Sequence, residues 1–241
     1  MASDNPSGAD NQQGSRRRRP EDALLTPQRL HAELLATGAS GLEAYLQGAL
    51  HDATYSRIHR THRFGQSDRG WLETLQMILE QLGFRSWSYR EGRERNYWVV
   101  ETTAPFLSLR YEAGTLIGSR TGLDYVRGYF DAEGGMPRNP SDRLYLQIGQ
   151  KDRDSLEVVI AILESHGIAC GQVHNPSRRV DPDSCRVNVR AGSQQRYMQD
   201  VGSWHPRKRQ QMETRLELLR QREPHRRSPG PPGTDREIEF W

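Results

Sequence analysis

The sequence predicts an α+β protein in which one structural unit is used twice. Three observations carry this. Residues 65–83 return as 149–167 with ten identities in nineteen positions, among them Gly65/Gly149, Gln66/Gln150, Asp68/Asp152 and Gly83/Gly167. A second block, 45–54, parallels 125–134 and keeps Tyr45/Tyr125 and Gly48/Gly128; its offset is 80 rather than 84, so the first copy is four residues shorter between the blocks. Within each copy the apolar spacing switches between the helical period and the strand period.

Taken in order, each unit reads helix, strand or hairpin, helix, hairpin. Asp68 and Asp152 stand where a helix needs an N-cap carboxylate for its orphan N–H groups. Helical spacing follows in Trp71, Leu72, Leu75, Ile78, Leu79 and Leu82, and again in Leu156, Val159, Ile160 and Leu163. Gly83 and Gly167 end these helices where a left-handed residue is required. Strands are expected over 84–89, 97–102 and 168–173, and a third helix in the second copy at about 193–202. The clearest strand is 185–190: Val187 and Val189 face one way, Arg186, Asn188 and Arg190 the other. The expected organisation is a disordered basic and polar tail over 1–24, a degenerate first repeat over 25–112, a linker over 113–121, a second repeat over 122–218 and a disordered tail over 219–241.

Of the 241 residues, 34% are apolar, and the net charge is +3, which suits an anionic partner without specifying one. The kind of base says more. Lysine occurs only at Lys151 and Lys208; the other 32 of the 34 basic residues are arginine. Cys170 and Cys185 lack metal-ligand spacing and read as reduced thiols, so the expected location is intracellular and cytoplasmic. No apolar run approaches the roughly 18 residues of a membrane span, and the polar, acidic start does not read as a signal peptide. Arg16 to Arg19 form a basic run that reads as a solvated tail or a nucleic-acid contact. His51, His59 and His62 have no zinc partner set.

The segment Val126-Arg127-Gly128-Tyr129-Phe130-Asp131-Ala132-Glu133-Gly134 resembles the nine-residue signature of the LAGLIDADG homing endonucleases. The order of elements is similar to that family's αββαββα unit. The resemblance implies two αββαββ(α) repeats with saddle-shaped antiparallel sheets that read a long duplex DNA site. It implies two signature helices packed side by side at a pseudo-twofold axis, with Gly48 and Gly128 allowing the close approach. It also implies Mg²⁺-dependent double-strand phosphodiester cleavage, with Glu133 as the metal-binding acid of the eighth signature position. Gln150, followed by Lys151, matches a Gln-Lys pair that orders water near the metal, and Lys208 matches a lysine after the third helix. Both lysines of the chain thus fall where the resemblance implies lysine, and arginine is not its equivalent. The chemistry is coherent, because such hydrolysis needs a hard cation and Mg²⁺ is content with one or two carboxylates and water.

The first repeat departs from the pattern. Ala53 takes the eighth position, Asp52 the seventh and Thr54 the last; Gln66 is kept, but Ser67 replaces the lysine. A one-residue step turns a helical side chain by about 100°, so Asp52 serves as catalytic acid and metal ligand only if the helix end unwinds or shifts. Otherwise the second repeat pairs with itself in a homodimer, or the chain is a catalytically lost DNA- or RNA-binding protein, a regulator or a splicing helper. Candidate DNA contacts are Arg138, Arg143, Lys151, Arg178, Arg179, Arg186 and Arg190 in the second repeat, with Arg178 and Arg179 in the polar loop 174–184. In the first repeat they are Arg57 and Arg63, expected to share a strand face with His59 and Thr61. Asp131 reads as structural or solvated, and His205 as a turn residue.

Overall fold

The computed structural model describes residues 27–222, Arg93 excepted. The first unit is α1 (Pro27–Ala49), β1 (Ala53–Ser56), β2 (Thr61–Gln66), α2 (Arg69–Gln81), β3 (Ser86–Arg90) and β4 (Trp98–Thr102). The second is α3 (Arg120–Glu133), β5 (Gly134–Gly135), β6 (Gln147–Gln150), α4 (Arg153–Ser165), β7 (Cys185–Asn188) and α5 (Gln194–Asp200), followed by α6 (Pro206–Arg222).

The local signals act as expected. Asp68 accepts from Trp71 N, and Asp152 from Asp154 N and Ser155 N. Gly83 and Gly167 take φ of 79° and 72° after their helices. The first sheet has the antiparallel order β1-β2-β4-β3, and the second runs β5-β6-β7. Bridges Cys170↔Val189 and His174↔Arg186 lay the segment after α4 beside β7, so both sheets share one order. The strand expected at 168–173 is therefore reduced to a bridge at Cys170, with a second at His174 just beyond it, and the third helix to 194–200. Gly134-Gly135 pairs with Ile148 and Gln147 in β5.

Each sheet packs one face against helices. Phe64 and Val100 join Trp71, Leu75 and Ile78 in one core; Ile148 and Val187 join Leu156, Val159 and Leu163 in the other. Helices α1 and α3 meet between the two cores. A Cβ on Gly48 would collide with the Tyr125 carbonyl oxygen, and one on Gly128 with that of Tyr45, so the crossing is reciprocal. The same symmetry relates the polar contacts across it. Tyr45 Oη donates to Asp131 Oδ2 at 2.8 Å, and its register mate Tyr125 pairs with His51, the mate of Asp131, at 2.7 Å.

Helix α6 has no counterpart among the expected elements, which place only a turn residue, His205, and Lys208 after the third helix. Its apolar spacing is weak, and it is held by Met212, by Arg215 and by Arg209, which bridges Glu33 of α1 and Glu213. It reaches Arg222, past the expected end of the second repeat at 218.

Candidate active site at the paired helix ends

The crossing delivers the C-termini of α1 and α3 to one place. Helix α3 stays α-helical to Glu133, whereas α1 tightens into a 3-10 turn over Leu50–Asp52. Three residues of 3-10 helix rise about 6 Å and rotate about 360°; four residues of α-helix rise about 6 Å and rotate about 400°. The turn therefore carries the seventh-position Asp52 to the height an eighth-position acid would reach, with most of the angular error removed. This is the shift of the helix end on which a role for Asp52 depended.

Each acid is held by the glutamine of its own repeat. Gln66 Nε2 donates to Asp52 Oδ2 at 2.6 Å, and Gln150 Nε2 to Glu133 Oε1 at 3.2 Å. Burial first, and then the negative charge of Asp52, push the Glu133 carboxyl up to about 7, against the opposing pull of Gln150 and Lys208. Burial also raises Asp52 above its ordinary value, with Gln66 and Lys208 opposing. The Asp52 charge is thus felt at Glu133, which puts the two carboxylates near one another at the paired helix ends.

Lys208 lies beneath them. It is 6% exposed, and its Nζ donates to the carbonyls of Phe130 at 2.6 Å and Asp131 at 2.9 Å. Burial pushes its pKa down to about 8, against the attraction of Asp131, Glu133 and Asp52. The lysine is placed by a buried network centred on Asp131, which is 1% exposed. Asp131 Oδ2 accepts from Tyr45 Oη, Trp204 N at 2.8 Å and His205 N at 3.0 Å, and Oδ1 accepts from Ser203 Oγ. Trp71 Nε1 in turn donates to Tyr45 Oη at 3.0 Å. Asp131 therefore ties α1, α2 and α3 to the start of α6. His205 is buried and faces Asp68 Oδ2 at 3.5 Å, so it anchors that start to α2. Sequence reasoning missed the reach of this network; its available signal was Tyr45 and Tyr125, repeated in register and facing inward.

The expected DNA contacts are scattered differently. Arg138, Arg143, Arg178 and Arg179 are exposed on loops, Lys151 is exposed beside Asp181 at 3.8 Å, and Arg186 lies on the open face of β7. Arg190 is partly committed, its Nε donating to the Cys170 carbonyl at 2.8 Å. In the first repeat the expected shared strand face does not form. Arg57 and His59 lie in the turn between β1 and β2, because β1 ends at Ser56, so they share no strand face with Arg63. Arg63 itself is gripped by Glu101 at 2.9 Å and Glu91 at 2.6 Å, and donates to Tyr89 at 2.9 Å. Its charge is answered within the sheet. The run at Arg16–Arg19 lies outside the described residues.

No protein-family model matches the sequence, and no curated protein matches it significantly. Solved structures do. I-DmoI in complex with DNA and Mn superposes with a TM-score of 0.50 at 19% identity, over 70% of this chain and 99% of I-DmoI. The N-terminal LAGLIDADG domain of DUF199/WhiA gives 0.54 at 13% identity, over 72% and 88%. Full-length DUF199/WhiA from Thermatoga maritima gives 0.59 at 13%, over 85% of this chain and 68% of that one. The fold is the LAGLIDADG homing-endonuclease fold, with two repeats and antiparallel sheets.

Proposed function

We propose that the chain binds double-stranded DNA and cleaves it as a Mg²⁺-dependent, site-specific endonuclease, acting as a single chain whose two repeats replace two subunits. The observation that carries this is the pair Asp52 and Glu133, each held by the glutamine of its own repeat at the junction of α1 and α3. Pairing two copies through the signature face of α3 would require displacing α1, which covers it.

The donor set fits a hard cation: two carboxylates at the adjacent C-terminal ends of α1 and α3, each with a side-chain amide beside it. Among the described residues no three His, Cys, Asp or Glu cluster into a site, so water and phosphate oxygens would complete the shell, as Mg²⁺ favours. When bound, the metal would supply an activated water and charge neutralisation at the departing oxygen. Gln66 and Gln150 would orient the acids and the waters around them. Lys208, with Nζ at the last carbonyls of α3, would add fixed positive charge as the phosphate becomes more anionic. Arg138, Arg143, Lys151, Arg178, Arg179 and Arg186 would hold the duplex, chiefly through phosphates.

The test is a DNA library incubated with Mg²⁺ and the wild type, Glu133→Gln or Asp52→Asn. Double-strand cuts that fall about 10²-fold or more in both variants support the assignment. Cuts that survive Glu133→Gln refute it. A second reading, a DNA-binding regulator that has lost cleavage, is favoured by Ala53, which stands where the first repeat would carry its eighth-position acid. Salt-sensitive duplex binding with no nick under any divalent metal would establish it. Tighter binding of structured RNA than of duplex DNA would point instead to an RNA-binding derivative.

A further inference from the structure

The pseudo-twofold axis exposes an imbalance. On one side of the α1–α3 crossing, Trp204, His205 and Lys208 fill the space against Tyr45, Asp68 and the α3 carbonyls. On the other side the register mates of those partners line a cavity of about 450 Å³: Tyr125 for Tyr45, Asp152 for Asp68, and Leu50 and His51 for Phe130 and Asp131. The backbone correspondence continues at its edge. Arg127 Nε donates to the Val201 carbonyl, and its mate Gln47 grips 106–108, donating to the Phe106 carbonyl at 3.3 Å and accepting from Ser108 N at 3.1 Å. The chain after β4 then turns away without supplying a buried base. Tyr111 stands against Tyr125 at 6.1 Å, as Trp204 stands against Tyr45 at 4.5 Å.

Three carboxylates border the cavity: Glu112, Asp152 and Asp154. Asp152 caps α4 through Oδ1. Among the described residues no lysine or arginine pairs with any of the three; in the filled site Asp68 faces His205, whose pKa burial lowers, and the ammonium of Lys208 sits on the α3 carbonyls. Val158 and Leu50 add apolar wall, and Tyr111 and Tyr125, stacked on each other, add aromatic surface.

We propose that this cavity binds a primary alkylammonium, whose charge meets Asp152 and its neighbours and whose chain lies on the aromatic and apolar wall, the place that the Trp204–Lys208 segment fills in the other half. The proposal is independent of the nuclease assignment, because binding is read without DNA or metal. The full chain is titrated with 1,5-diaminopentane by calorimetry and by the thermal midpoint, with n-pentanol as the uncharged control. Saturable one-to-one binding and a rising midpoint are expected. In Asp152→Asn/Glu112→Gln the affinity falls at least about tenfold while the fold persists, since asparagine caps a helix as well as aspartate. Val158→Lys, which tethers an ammonium in the cavity, abolishes the response. The proposal is overturned by an absent saturable signal, by an equal response to n-pentanol or to MgCl₂ at matched ionic strength, or by undiminished affinity in both variants.

Discussion

Replacing Lys208 with methionine separates what this residue does for the fold from what it would do for chemistry. An ammonium whose pKa falls from 10.5 to about 8 on burial costs the folded state about 3 kcal/mol. Methionine removes that cost and keeps most of the volume, but leaves the Phe130 and Asp131 carbonyls without two hydrogen bonds, a loss of about 2 kcal/mol together. At pH 7 Lys208→Met is therefore expected to be more stable than the wild type by about 1 kcal/mol. The pH dependence has a definite sign. Below pH 8 both states of the wild type carry the proton and the cost is full. Between 8 and 10.5 the folded state releases it while the unfolded state keeps it, so wild-type stability climbs relative to the variant by about 1.4 kcal/mol per pH unit. Urea unfolding of both proteins from pH 7 to 10 should show the wild type overtaking the variant. DNA cleavage should fall about 10²-fold in the variant. A variant destabilised by more than about 1 kcal/mol at pH 7, or a stability difference that does not change with pH, would refute the reasoning.

Three further outcomes follow from the packing. Asp131→Asn places an amide among four donors in a buried site, so a loss of about 3 kcal/mol is expected in urea unfolding, with Lys208 displaced and cleavage reduced; wild-type stability would contradict the network. Gly128→Val drives a side chain into the Tyr45 carbonyl and should cost more than about 3 kcal/mol or prevent folding, measured by circular dichroism. Glu101 is pushed up by burial, yet the hydrogen bonds from Tyr89, Thr61 and Arg63 outweigh this and hold it below its ordinary 4.5. The wild type should therefore exceed Glu101→Gln in stability above pH 4.5 and lose that advantage as pH falls through the lower folded value, which acid unfolding curves of the two proteins would show.

Much of the second repeat was legible because its signals are local. Asp152 caps the helix that follows it, Gly167 ends it, and Val187 and Val189 alternate with Arg186 and Asn188 as a half-buried strand must. The first repeat was legible only by register with the second, and register counts residues without knowing the pitch of the turn that holds them. Asp52 stands in position seven on that count, yet the 3-10 turn at Leu50–Asp52 sets it beside Gln66. Arg63 shows the converse. Its sequence reads as an available base, but strand pairing places Glu101, from 38 residues later, directly opposite.

The sequence by itself determined the repeat, the helix caps and stops, the face of β7 and the glycines of the crossing, because each depends on neighbours within a turn or two of chain or on a pattern copied between the halves. Only the tertiary structure decided that α1 and α3 bring Asp52 and Glu133 together, that Asp131 rather than a surface charge anchors α6, and that Lys208 is buried beneath the acids. Those outcomes depend on contacts 70 or more residues apart, such as Lys208 to Phe130 at a separation of 78. There, burial and pairing set the charge and role of a side chain, and local pattern carries no record of either.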